Sequence, residues 1–269
     1  MVNFNFVTLL ADLCASAAIQ DAVKREVSSD GCKKALPSHR SAGHEYLIPY
    51  KDDQSHDRDY LLFIPPKYSK TSPNPIIFSY HGGTKTPEEQ RDLDLLETSY
   101  FNKDHIVVYL RGYEVRTRTT SRTTMIDQTR DDGRACLILH RGMTSSTPTR
   151  TNIPMVEFHG GIDGTIPYNG SDSRRGACLP DIYHWVTEWA VRDGLGEKAT
   201  VCNITSRAQR YQWGSGDKKG LVSHVFEKDV DHSWLYTGVN DDNKAHGDGP
   251  ASYNASSYIM EFFSKHILN

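Results

Sequence analysis

Two short apolar runs, each ending in the same tripeptide, constrain this sequence more than any other feature. Pro75–Tyr80 (PIIFSY) leads into His81-Gly82-Gly83, and Ile153–Phe158 (IPMVEF) leads into His159-Gly160-Gly161. Near-continuous apolar stretches of this length, bounded by turn residues, suit central strands buried on both faces, which is the habit of parallel sheets. Ile106–Leu110 (IVVYL), stopped at Gly112, is a third run of the same kind.

The remaining pattern builds around these strands. Tyr46–Tyr50 and Tyr60–Ile64 read as short strands joined by the polar loop Lys51–Asp59. A helix is expected from Pro87, a residue suited to a first helical position, to about Ser99. Asp181–Leu195 places Ile182, Trp185, Val186 and Trp189 at helical spacing and stops at Gly194 and Gly196. Cys202–Gln212 and Leu221–Phe226 read as edge strands. Ser252–Leu268 closes with Tyr258, Ile259, Phe262, Phe263 and Ile267 along one helical face. Strands alternating with helices predict an α/β fold with a doubly wound, mostly parallel sheet.

One stretch breaks the pattern. Tyr113–Thr151 is crowded with Arg and Thr and follows neither period 2 nor period 3.6. Long structureless insertions inside a compact domain count against a native assignment. A frameshifted or mis-spliced translation therefore fits these residues better than a solvated surface excursion.

The net charge of -3 gives no electrostatic reason to expect nucleic acid or an anionic membrane as a partner. No apolar run reaches the roughly 20 residues of a membrane span. Met1–Ala18 is short and apolar and ends in Ala15-Ser16-Ala17, a pattern expected of a signal peptide. Its removal leaves Cys32, Cys136, Cys178 and Cys202, an even set compatible with disulfides in any of three pairings. Asn169-Gly-Ser171, Asn203-Ile-Thr205 and Asn254-Ala-Ser256 are glycosylation sequons. Together these features predict a secreted, extracellular protein whose mature part, residues 19–269, is one domain.

Three sites carry chemistry. Acyl transfer builds negative charge on a carbonyl oxygen, and a glycine loop after a buried strand lets backbone N–H donors approach it. Gly83 or Thr84 is the expected donor. Asp163, just past the strand ending in His159-Gly160-Gly161, is placed to orient a histidine and stabilise its imidazolium. His232, in Asp231-His232-Ser233-Trp234, lies 69 residues further on, in the order acid then histidine. Asp229 and Asp231 beside it raise the question of a metal. Neither an EF-hand nor an H-E-x-x-H spacing is present, so no metal and no cofactor are expected.

Several stretches resemble fungal feruloyl esterases of type C, which are related to acetyl xylan esterases and polyhydroxybutyrate depolymerases. They are SDGCKKALP (29–37), DRDYLLFIPP (57–66), IIFSYHGGTKTPEEQ (76–90), EFHGGIDGTIPY (157–168), RRGACLP (174–180) and HWVTEWAVRDGLG (184–196). The likeness covers about residues 29–112 and 152–268. It implies an α/β-hydrolase serine esterase that releases ferulic acid from the feruloylated arabinoxylan of plant cell walls, acting as a monomer. Carried over by position, it makes Asp163 the triad acid and His232 the triad base. It also sets His81, Tyr168 and Trp234 at the substrate and makes Cys32 and Cys178 disulfide partners. The family's G-x-S-x-G nucleophile elbow belongs between Gly112 and the Asp163 strand, and the motif occurs nowhere in the chain. Gly214-Ser215-Gly216 has the wrong spacing and follows the acid; Ser121, Ser145 and Ser146 sit in no such motif. A βαβ unit takes roughly 30 residues, so the 39 residues of Tyr113–Thr151 are too few for the strands and helices expected there. The nucleophile is unassigned and this chain is expected to be impaired or inactive. The alternatives are a non-catalytic carbohydrate-binding pseudoenzyme and an esterase for acetyl xylan or polyhydroxyalkanoate.

Overall fold

The computed structural model describes residues 34–83, 85–112, 151–174 and 177–266, with side chains at 172–178 excepted. The expected signal peptide, the unpatterned stretch up to residue 150, Thr84, and the side chains of Cys32, Cys136 and Cys178 lie outside what is described.

The first half forms a four-stranded mixed sheet. β1 (His44–Lys51) and β2 (Asp57–Ile64) pair antiparallel along their full length. β2 then pairs antiparallel with β4 (Ile106–Leu110), and β4 runs parallel to β3 (Ile76–Tyr80), giving the order β1-β2-β4-β3. β4 is interior, as its apolar run implied, and Val107 and Tyr109 are fully buried. β3 is not: it ends the sheet among the described residues. Its alternate side chains Ile76, Phe78 and Tyr80 are 55%, 57% and 70% exposed. An apolar run marks capacity for burial, and here only the Ile77–Ser79 face is covered.

Helix α1 (Pro87–Asp94) starts at a reciprocal cap. Thr86 Oγ1 accepts from the Glu89 amide while Glu89 Oε2 accepts from the Thr86 amide. It ends earlier than expected because Leu95 takes a left-handed conformation and Asp94 turns inward. The Asp94 carboxylate accepts from Ser79 Oγ on β3 (2.7 Å) and Tyr109 O–H on β4 (2.8 Å), fixing the helix to the sheet.

The second half is another four-stranded mixed sheet, ordered β5-β10-β9-β8. β5 (Met155–Gly160) runs parallel to β10 (Val222–Glu227). β9 (Ala208–Trp213) pairs antiparallel with β10 and with β8 (Thr200–Asn203). Two expectations change here. Cys202–Gln212 is two strands and a turn, and Leu221–Phe226 is an interior strand between β5 and β9. Antiparallel pairs outnumber parallel ones among the described strands, so the single mostly parallel sheet gives way to two mixed sheets within an α/β fold. A two-stranded hairpin, β6 (Ser171–Arg174) and β7 (Ala177–Leu179), lies outside both.

Helix α2 (Ile182–Arg192), capped by Asp181 at the His184 amide, covers one face of the second sheet. It packs Ile182, Val186 and Ala190 on Trp213 and Val222. Helix α3 (Asp241–His246) is short and polar. Helix α4 (Ala255–Lys265) joins the halves. Its Met260 and Phe263 pack on the first sheet's core, while Ala255 and Tyr258 belong to the core of the second. Ser256 Oγ donates to the Asp94 carbonyl at 2.6 Å, so α4 is bonded directly to the end of α1.

Candidate active site

The acid and the histidine proposed from sequence come together at the ends of two adjacent parallel strands. Asp163 follows β5 and His232 follows β10, and parallel neighbours release their C-terminal loops at the same edge. Close approach of those loops requires the glycines ending β5. A Cβ on Gly160 would stand 2.1 Å from the Val230 carbonyl oxygen and 2.4 Å from that of Asp231. The Gly161 amide donates to the Glu227 carbonyl (2.7 Å), and the Ile162 amide donates to the Val230 carbonyl (3.2 Å). Asp231 then staples the loops: its Oδ1 accepts from the amides of Gly164 and His232, each at 2.7 Å. Burial pushes the Asp231 carboxyl upward, but these two bonds prevail and hold it below the usual range.

Asp163 is buried, its side chain only 3% exposed, whereas that of His232 is 45% exposed. One carboxylate oxygen, Oδ1, accepts from the Thr165 and Ile166 amides at 2.7 and 2.6 Å. The other, Oδ2, accepts from His232 Nδ1–H at 2.8 Å. Both backbone bonds and burial fix the carboxylate before the histidine docks on it. The imidazole is thereby oriented through Nδ1, leaving Nε2 as the nitrogen able to exchange a proton with a reactant.

The two His-Gly-Gly motifs differ physically. Gly160 and Gly161 are demanded by packing. Gly82 and Gly83 stand in open surroundings: a Cβ on Gly83 meets nothing within 4 Å, and one on Gly82 meets only Lys85 Cγ at 3.9 Å. Their lack of side chains leaves room above the loop between β3 and α1. His81 was expected to face substrate. Instead Nδ1–H donates to the Gly82 carbonyl (2.8 Å) and Nε2 accepts from the Gly112 amide (2.9 Å), so both nitrogens clamp the loop ends of β3 and β4. The loop reaches the His232 side of the molecule through Lys85. Lys85 Nζ lies 3.5 Å from Asp242 Oδ1, and Asp242 Oδ2 accepts from the Trp234 amide at 3.2 Å.

Trp234 and Tyr168 are both half-buried. Trp234 packs on the core of the second sheet. Tyr168 stacks on His224 and bonds it through the hydroxyl (3.0 Å), so its polar end is turned inward. Below Asp163 runs a polar network whose members had no assigned role. Period-two alternation sets Glu157 and His159 on one face of β5, and parallel register sets His224 opposite Glu157. Among the described residues no cluster of three or more His, Cys, Asp or Glu is placed to hold a metal ion, and no helix is long and apolar enough to cross a membrane. Cys202 on β8 is disulfide-bonded.

No protein-family model matches the chain, and no curated protein matches it.

Proposed function

We propose that this chain belongs by family to the secreted carboxylic ester hydrolases of the serine α/β-hydrolase type that act on feruloyl esters of plant cell-wall arabinoxylan, and is itself impaired or inactive for want of the nucleophile motif. The observation that carries the reading is the Asp163–His232 pair, a buried carboxylate gripped by two amides and bonded to the inner nitrogen of a half-exposed imidazole. In an acyl transfer, His232 Nε2 takes the proton of the attacking hydroxyl and returns it to the leaving alcohol, while Asp163 stabilises the imidazolium between the steps. The open glycine loop lies between the third strand and the following helix, the place from which such enzymes supply an oxyanion donor. Thr84, the alternative donor, lies outside the described residues. Feruloyl rather than acetyl specificity rests on the resemblance of the EFHGGIDGTIPY stretch.

The missing G-x-S-x-G confines this chain to the turnover that a dyad without a nucleophile permits. The test is to sequence cDNA across the codons for Gly112–Asn152 and assay each encoded protein on methyl ferulate beside acetylated xylan. The reading expects a transcript restoring the motif, whose product releases ferulate and loses that activity on His232→Ala. A transcript encoding only the present sequence, or an intact product active on acetyl esters alone, overturns it. The absent motif also favours a second reading, a carbohydrate-binding pseudoenzyme. That reading expects feruloylated oligosaccharide to bind without release of ferulate, and fails if no binding is measured.

A further inference from the structure

His159 lies beneath Asp163, its side chain 7% exposed, and among the described residues its ring nitrogens meet oxygens of Glu157, Ile166 and Asp163. Nδ1 is 2.9 Å from Glu157 Oε1; Nε2 is 2.8 Å from the Ile166 carbonyl oxygen and 3.4 Å from Asp163 Oδ2. A carbonyl only accepts, and so does a carboxylate, so a ring nitrogen without a proton would set lone pair against lone pair on one side. Glu157 has its other oxygen on His224 Nδ1 at 2.5 Å, and His224 Nε2 can accept from the Tyr168 hydroxyl. The network therefore closes without a proton on Glu157, provided that both nitrogens of His159 carry one.

We propose that His159 is a positioning residue for the Asp163–His232 pair, a buried imidazolium sharing Asp163 Oδ2 with His232 and anchored behind by Glu157. The charge count gives its purpose. Glu157 and Asp163 are two buried anions; while His159 is protonated between them a single net negative charge remains, and the proton taken up by His232 neutralises it. Without His159 the acid would face a second carboxylate with nothing between. Burial alone would push the His159 imidazole down, but the Glu157 and Ile166 bonds and the Glu157 and Asp163 charges raise it. Burial likewise pushes Glu157 up, and the His159 and His224 bonds bring it below the usual carboxylate range. The groups facing this assembly are His224 on β10 and Tyr168 behind, with Asp231 and His246 beside His232, the two histidine rings 6.2 Å apart.

That the Asp163–His232 pair moves a proton in ester hydrolysis rests on the proposed function, but the test does not. The full chain is labelled with ¹⁵N-histidine and its ring nitrogens followed by NMR from acid to alkaline pH, in wild type, His159→Gln and Glu157→Gln. Wild-type His159 is expected to keep protons on both nitrogens beyond the pH at which an ordinary histidine loses one. In E157Q it loses one at lower pH. In H159Q, with circular dichroism unchanged, the His232 Nδ1 proton exchanges about tenfold faster or more, as loss of support for a charge-assisted bond allows. A single protonated nitrogen on wild-type His159 overturns the proposal, and so does unchanged His232 exchange in a folded H159Q. Should H159Q not fold, the wild-type ring spectrum decides alone. None of these signals depends on ester hydrolysis, so failure of the esterase reading would appear separately, in the methyl ferulate assay.

Discussion

Replacing Asp163 by Asn keeps shape and removes charge, which makes D163N the sharpest probe of how the site is held. The asparagine must choose an orientation. Placing its oxygen at Oδ1 preserves the Thr165 and Ile166 bonds, and then its NH₂ faces the N–H groups of both His232 and His159. The reverse placement keeps the histidines and sets NH₂ against two backbone donors at 2.6–2.7 Å. The first is the cheaper. His232 is half exposed and can swing or swap its tautomer, so its bond counts for less than a buried one. His159 is enclosed and cannot move away, and its cation loses one of two carboxylates. A charge-assisted bond is worth about 1.5–3 kcal/mol, and stripping a partner from a buried charge costs up to about 5. With the exposed end discounted, D163N should cost about 2–4 kcal/mol at neutral pH. Urea unfolding followed by tryptophan fluorescence measures it, with the slope unchanged and the midpoint lowered. A cycle with H159Q should return a coupling of about 0.5–3 kcal/mol. A cost below about 0.5 kcal/mol, or a coupling of zero, refutes the argument that a buried cation depends on this carboxylate. In an intact enzyme the same change should lower kcat by on the order of 10⁴, through the wrong histidine tautomer.

Other perturbations test other joints. Burial raises Asp94 from 3.8 to about 6, with the backbone bond from Leu96 and those from Ser79, Tyr109 and Gln90 opposing. A raised acid favours the folded state while protonated, so the Asp94 contribution is complete below about pH 4 and is lost, by about 3 kcal/mol, as pH rises to about 6. D94N should flatten that slope in pH-dependent urea melts, and an unchanged slope would show that the buried carboxyl is not its source. His159, raised above 6.5, contributes stability that is complete below that value and lost as pH climbs through its folded value; the decline should vanish in H159Q. Gly160→Ala drives a methyl into two backbone carbonyls of the loop bearing His232, so a loss of more than about 3 kcal/mol is expected in thermal melts. A well-folded G160A would contradict the close approach of the two loops. Material folded in a secretory host should carry glycan on exposed Asn203 and none on Asn254. The Asn254 amide oxygen holds Thr237, and its sequon hydroxyl on Ser256 is buried against the Asp94 carbonyl. Peptide mass spectrometry reads both sites, and glycan on Asn254 would refute it.

What could be read beforehand followed from locality. Strands β4 and β5 announced themselves by composition, and Asp163 and His232 by their places after strands. The interior position of β10 could not be read, because pairing order depends on partners far along the chain, not on Leu221–Phe226. The end of α1 at Leu95 carries no Gly or Asn signal; it is set by Asp94 reaching two strands. Helix α3 is too polar to show a period and exists through the Asn240–Asn243 cap. Glu157 and His159 were visible as a pair two apart, but His224 joins them only through sheet register.

Strand β3 carries a consequence for the molecule in company. Between Thr71 and Gly83 there is no Lys, Arg, Asp or Glu. Among the described residues, the strand at the end of the first sheet therefore offers open backbone and the rings of Phe78 and Tyr80 without a charge to repel another chain. Its five uncharged, mostly apolar residues, Ile76–Tyr80, are the kind that template cross-β stacking once exposed. Self-association in concentrated solution is expected to grow from this edge, and to be reached while the Asp163–His232 bond on the other sheet is still intact.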